Sequence, residues 1–292
     1  MVEEIRKELP KSVSKACRVL GLSRSVLHYK SIKDDSTYVD LLRKHAEDHP
    51  REGFWKAYGR IRNQGVIVNH KRLFRIYREA GLSLRRKCKR RLPNREKQPL
   101  VVPETFTQSW SIDFTNDVLS NGLKFRSFNV IDDYNREVLY IEVDYSLKSS
   151  RVVWVLNHLI NRYGKPQNIR MDNGPELIAG LMTHWSAVND ITFQYIQPGK
   201  PMQNGYIERF NRTYRENVLD AYIFESLDDV RDITDEFVKD YNHDRPHDSL
   251  GGLPPVRYRE ESGQKLIGGS FRSGYASATL APNQFPQERE EI

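Results

Sequence analysis

The 292 residues suffice for about two domains at roughly 150 residues each, and no apolar run reaches the roughly 18–20 residues of a bilayer span, so a membrane protein is excluded. Three Glu in the first eight residues and no apolar stretch speak against a secretory leader, while Cys17 and Cys88 form neither a disulfide framework nor a CxxC zinc site, so a reducing cytosol is expected. The net charge of +7 divides into +15 over residues 1–100 (26 Lys and Arg against 11 Asp and Glu) and −8 over the remainder (20 against 28), the balance of a polyanion-binding arm whose leading partner is nucleic acid.

In KSVSKACRVLGLSRSVLHYK, Ala16, Val19 and Leu20 share a helical face, Gly21 breaks the helix, and Ser23 is placed to cap a second helix holding Val26, Leu27 and Tyr29. That is the outline of a helix-turn-helix or of any short helical hairpin. After a charged stretch at 33–48, VNHKRLFRIYREAGL predicts a helix with Asn69 as N-cap, an apolar stripe of Leu73, Ile76, Tyr77 and Ala80, and Gly81 as its stop. Its other face carries Lys71, Arg72, Arg75 and Arg78. The run Arg85, Arg86, Lys87, Cys88, Lys89, Arg90, Arg91 follows, a density of charge that DNA or RNA phosphates would balance by counterion release. Pro93, Pro99 and Pro103 mark an extended linker.

From about residue 106 the pattern changes to strands. SWSIDFT, FRSFNVIDD and EVLYIEVDY alternate as an antiparallel meander with Asn121-Gly122 at the first turn. SSRVVWVLNHLINRY reads as a helix, QNIRMD as a strand, PELIAGLMTHWSAVN as a helix, ITFQYI as a strand and GYIERFNRTYRENVL as a further helix. The order β-β-β-α-β-α-β-α is that of an α/β, RNase H-like fold, a mixed five-stranded sheet flanked by helices, here preceded by an all-α, helix-turn-helix-type region.

Three carboxylates stand out. Asp113 sits mid-strand between Ile112 and Phe114, Asp172 ends the fourth strand before Asn173-Gly174, and Glu208 lies one turn into the last helix, with 35 residues between it and Asp172. A mid-strand carboxylate is costly to bury without a metal or cation. Three at one sheet edge make an oxygen-ligand site for Mg²⁺ or Mn²⁺, and two ions roughly 3.5–4 Å apart suit phosphodiester cleavage and transesterification. Asp117, Asp132, Asp133, Asp144 and Glu176 compete as nearby acids. Arg212 and Arg215, at i+4 and i+7 from Glu208, are placed to grip phosphates or to be plain surface charge. Lys200, in the Gly- and Pro-rich stretch 197–205, is a further phosphate candidate.

Asp113, Asp172 and Glu208 in the contexts WSIDFT, RMDNGPE and GYIERFNR resemble the DDE catalytic core of retroviral integrases and insertion-sequence transposases. With GFWKAYGRIR, NHKRLFRIYREAGLSLRRK, FNVIDDYNREVLYIEVD and YNHDRPHDSLGGLPPVRY, the chain over roughly residues 40–260 is similar to the second-frame (OrfB) product of the insertion-sequence-three family. The resemblance departs at Gln203-Asn204, where many relatives have Asp-Asn. It implies that the three acids bind divalent metal, that element ends with terminal inverted repeats are cut, and that the freed 3′-hydroxyl is joined to target DNA without a covalent enzyme intermediate. It also implies a homo-multimer on DNA and fusion or association with an upstream first-frame product.

The resulting division is a helical DNA-binding region at 1–98 (units at about 11–30 and 40–90, basic tail 85–91), a linker at 99–104, the catalytic core at 105–225, a terminal helix and signature segment at 226–260, and a tail at 261–292 expected to be disordered. A cytoplasmic, nucleoid-associated transposase acting in DNA integration and recombination is expected. The alternatives are a non-catalytic DNA-binding regulator and an RNase H-like nuclease. Pro246 breaks the spacing between His243 and His247, which favours structural roles for both. Trp55, Trp110, Trp154 and Trp185 are expected in cores rather than as base-stacking platforms.

Overall fold

Alternating apolar and polar side chains build the sheet at the centre of the computed structural model, which describes residues 13–23, 25, 34–85, 103–178, 180–196 and 204–263. The second helix of the first hairpin apart from Ser25, the run Arg86, Lys87, Lys89, Arg90 and Arg91, most of the linker, Lys200, Gln203 and the tail beyond Gly263 lie outside the described residues. β1 (Ser109–Val118), β2 (Lys124–Asp132) and β3 (Val138–Asp144) form the expected antiparallel meander, and Gly122 takes the positive φ of 86° that its turn requires. β4 (Asn168–Met171) and β5 (Thr192–Tyr195) add parallel to the other edge of β1, in the order β3-β2-β1-β4-β5.

Before the sheet come α1 (Val13–Val19), α2 (Ser36–Asp48), α3 (Phe54–Asn63) and α4 (His70–Glu79). The charged stretch at 33–48 is thus helical from Ser36 onward. Asn69 caps α4 by accepting from the Lys71 N–H at 2.9 Å, and Gly81, with φ of 72°, ends it as its N–H and that of Leu82 return to Arg78 and Tyr77. Leu42, Phe54, Ala57, Ile61, Leu73 and Ile76 form a separate small core for α2–α4.

Two larger cores cover the sheet. On one face, α5 (Ser149–Tyr163), at the expected bounds, lays Val152, Val155, Leu156 and Leu159 on Trp110, Ile112 and Phe128. The helix expected at 175–189 is described as α6 (Pro175–Ile178) and α7 (Gly180–Asn189), on either side of Ala179, which lies outside the described residues. On the other face lie α8 (Gly205–Tyr214), a π-helical turn at Arg215–Leu219, and α9 (Leu227–His243), which starts with a reciprocal Ser226–Asp229 capping box. Burying each large side chain contributes about 1.5–3 kcal/mol. α10 (Pro255–Glu261) closes the described chain. Among the described residues no helix is long and apolar enough to cross a membrane.

The helical unit is docked on the end of α9 through charge. Arg60 donates to Glu52 Oε2 at 2.8 Å and Oε1 at 3.0 Å, and to Asp240 Oδ1 at 2.6 Å and Oδ2 at 2.7 Å. Arg245 adds a bond to Glu52 at 2.5 Å, and Asn63 one to the Gly252 carbonyl at 3.1 Å. Burial would raise the Glu52 carboxyl, but the Arg60 hydrogen bonds and the Arg245 and Arg60 charges hold it down at about 2. Contact here is close enough that a Cβ on Gly59 would fall 2.8 Å from Pro246 Cγ. Trp110 and Trp185 are core residues and Trp154 is half-buried, but Trp55 is 62% exposed, because the inward stripe of α3 runs through Phe54, Ala57 and Ile61.

Candidate active site

Strand alternation sends Ile112 into the α5 core and turns Asp113 to the opposite face, where α8 crosses the sheet. Its Oδ1 accepts from the Phe114 N–H and its Oδ2 from the Asn211 amide, both at 2.8 Å. Asn211 in turn accepts at 2.8 Å from Asn129, the cross-strand neighbour of Asp113, and Asn129 also donates to Thr115 Oγ1 at 2.9 Å. Asn211 is one turn beyond Glu208, on the same face of α8. Asp172 lies just past β4, and its Oδ1 accepts from the Gly174 N–H at 3.1 Å. A Cβ on Gly174 would sit 3.1 Å from that oxygen and 3.6 Å from Glu176 Oε2, so glycine lets the loop close over the acid.

Burial pushes the Asp113 carboxyl up to about 6, with the negative charges of Asp172 and Glu208 adding to the rise against the Phe114 and Asn211 hydrogen bonds. Burial also raises Glu208, opposed by Arg212. The three acids therefore share one electrostatic neighbourhood, and among the described residues none of them forms an ion pair. The competing acids are otherwise engaged. Asp132 accepts from the Thr107 and Tyr134 N–H groups at 2.7 and 2.8 Å, and burial lifts it to about 8. Asp133 is held by Ser109, Ser111 and Arg170, Asp117 pairs with Arg215, and Asp144 accepts from the Tyr145 N–H. Glu176 pairs with Arg126, whose guanidinium lies 4.4 Å over the Phe114 ring.

One described group of three ligand-type residues brings its donor atoms within 4.8 Å of one another, and it is His49, Glu52 and Asp240 rather than the triad. Arg60 already straps both of those carboxylates, so the group is an ion-pair seam. Of the cations expected to meet DNA, Lys71, Arg85 and Arg212 are exposed. Arg72 and Arg75 instead both bond Asp35, at 2.8 and 2.7 Å, and Arg215 donates to the Asn116 carbonyl at 2.7 Å while pairing with Asp117 and Asp220. Asn204 precedes α8 buried, its Oδ1 without a partner among the described residues. His243 is exposed at the end of α9, and His247 packs its ring against Tyr241 at 4.7 Å. The Asn211–Asn129 bridge is absent from the expectations, although an Asn three residues after the helix acid was its one visible signal.

Two models of the integrase core domain match residues 106–201 and 189–255. A 31.7 kDa protein of insertion element IS407 from Burkholderia multivorans is 37% identical over 256 residues, covering 87% of this chain and 92% of that protein. The chain belongs to the insertion-sequence transposases with an integrase core. It is a polynucleotidyl transferase of the DDE type. The transposase is also 34% identical to a 39.2 kDa protein of insertion element IS476 from Xanthomonas euvesicatoria, over 88% of this chain and 75% of the relative. It is 23% identical to the putative transposase InsK of insertion sequence element IS150 from Escherichia coli K12, over 90% and 98%. In fold it resembles a chain of the simian T-cell lymphotropic virus intasome, with a TM-score of 0.50 and 16% identity over 79% of this chain and 78% of that one.

Proposed function

We propose that the transposase cuts DNA at the terminal inverted repeats of its element and joins the freed 3′-hydroxyl to target DNA, with Asp113, Asp172 and Glu208 as catalytic acids. The observation that carries this reading is the charge balance: among the described residues these three carboxylates form no ion pair, and Asp172 and Glu208 repel Asp113, while neighbouring acids are paired or hydrogen-bonded within the fold. Three hard oxygen donors with uncompensated charge fit Mg²⁺ or Mn²⁺, two ions in the full reading. Bound there, the metal supplies activation of the attacking hydroxyl and stabilisation of the leaving oxygen.

The chain's own residues set the stage. Asn211 aims the Asp113 carboxylate, the Gly174 N–H orients Asp172, and Arg212 offers a charge to a phosphate beside Glu208. Asn211→Ala is expected to lower the cleavage rate by roughly 10–100-fold, as loss of a ligand-orienting partner does, with the circular dichroism spectrum unchanged; a rate equal to the parent's would remove this role. Lys71, Arg85 and the basic run Arg86 to Arg91 are proposed as backbone contacts of a DNA-holding region at 1–98, and Lys200 as one within the cutting core at 105–225. A cytoplasmic, nucleoid-bound multimer is proposed, associated with a first-frame product; mass photometry with end DNA that returned monomers alone would count against the multimer.

The deciding experiment incubates the protein with oligonucleotides bearing the element's ends and Mg²⁺ or Mn²⁺. Joined products are expected from the parent and none from Asp113→Asn or Glu208→Gln. Cutting without joining would point to a nuclease, binding without cutting to a regulator, and joining by the variants would sink the assignment.

A further inference from the structure

A cavity of about 130 Å³ opens beside the active-site helix, where the helical unit, α8 and the segment after α9 meet. Four cations line it, each from a different element: Lys56 from α3, Arg136 from the β2–β3 turn, Arg209 from α8 and Arg245 from the end of α9. Asp248 is the single acid among them. Arg245 is neutralised from outside the cavity by Glu52, and Lys56 is shared between the Pro246 carbonyl and Asp248 at 3.3 Å.

Arg136 and Arg209 have much less to hold them. Arg136 lies flat on Tyr206, 3.5 Å from the ring centroid, and its hydrogen bond to the Tyr134 carbonyl is a long 3.4 Å. Arg209 meets Asp248 at 3.9 Å with 76% of its side chain exposed. His247 also lines the cavity, and among the described residues its buried Nε2 has no hydrogen-bond partner. Burial, and then the charges of Lys56, Arg245, Arg209 and Arg136, hold this imidazole down at about 3, so it stays neutral with an N–H to offer in one tautomer. In the tautomer that protonates Nε2, this buried donor among net positive charge is matched by an anionic oxygen.

We propose that this cavity seats a backbone phosphate of bound DNA, held by Arg136, Arg209 and Lys56 with His247 as a neutral donor. The volume is below the roughly 300–1,000 Å³ of small-molecule pockets, which favours a phosphodiester over a free nucleotide. Because Lys56 and Arg209 come from opposite sides of the docking seam, one phosphate here ties the duplex to the helical unit and to the helix of Glu208 together. The proposal rests on the transposase reading and adds a DNA contact outside the three acids.

The test measures binding of an end-sequence duplex by fluorescence anisotropy across a salt series. Arg209→Gln is expected to weaken binding about five- to tenfold and to reduce the salt slope by about one. Asp248→Asn is expected to tighten binding several-fold, a gain that damage to the fold would not produce; both side chains are mostly exposed, 76% and 71%. A parent that binds DNA with a steep salt slope while both variants match it overturns the cavity alone. A parent that binds no DNA overturns the transposase reading with it. Inorganic phosphate that raises the melting temperature of the parent and not of Arg209→Gln, with the DNA slope unchanged, reassigns the cavity to a free anion and overturns the DNA seat.

Discussion

Asp113→Asn is expected to abolish DNA joining and at the same time to raise the melting temperature of the metal-free protein. The carboxyl sits at about 6 in the fold against an ordinary value of 3.8, so the native state holds this proton more tightly than the unfolded chain does. Below pH ~4 both states are protonated and the site is neutral for stability. As pH rises from about 4 through 6 the native state must accept a charge that burial, Asp172 and Glu208 oppose, and above that window the full penalty of about 3 kcal/mol is present, at 1.36 kcal/mol per unit. Asn removes the charge but keeps an oxygen for the Phe114 N–H or the Asn211 amide. The variant therefore gains several degrees at pH 7.5 and nothing at pH 4. Mg²⁺ or Mn²⁺ is expected to raise the melting temperature of the parent and not of the variant, while joining falls at least about a thousandfold, the several kcal/mol of transition-state stabilisation a divalent ion contributes. A variant no more stable than the parent at pH 7.5, or one that still joins DNA, would refute this account.

What the sequence made legible is what depends on local periodicity. The stripe from Val152 to Leu159 defines α5 to the residue, and the β-branched runs define the meander, because each signal repeats within one element. The three acids stood out for the same reason: Asp113 interrupts an apolar strand, Asp172 precedes a turn, and Glu208 sits at a helix start. Trp55 misled because composition alone favours burial, whereas its place on α3 lies off the inward stripe. Contacts such as Asn211 with Asp113 and Arg60 with Asp240 join residues 98 and 180 positions apart, and no spacing rule encodes them. GFWKAYGRIR and YNHDRPHDSLGG read as two separate motifs; in the fold they are the two halves of one interface.

That interface carries the second large expectation. Replacing Arg60 by Leu leaves Glu52, 5% exposed, and Asp240 without their shared cation, and removing one partner of a buried pair costs about 3–5 kcal/mol. Scanning calorimetry should show the parent unfolding in one transition and Arg60→Leu releasing the helical unit earlier, by roughly 10 °C. The pH dependence has the opposite sign to that of Asp113. Glu52 is held at about 2, below its ordinary 4.5, so the seam contributes fully above pH ~4.5 and is lost as pH falls toward 2. Arg60→Lys should fare nearly as badly, since one ammonium cannot make the four hydrogen bonds by which the planar fork spans two carboxylates. Converting Glu52, Arg60 and Asp240 together to Met, Leu and Leu should restore part of the stability, because a more apolar seam avoids desolvating charges while Arg245 loses its Glu52 partner. The ionic seam accepts that desolvation in return for one fixed docking angle between the helical unit and α9. The triple variant is accordingly expected to melt above Arg60→Leu yet to cut end DNA at scattered positions. Uniform cutting by it would show that the angle is set elsewhere.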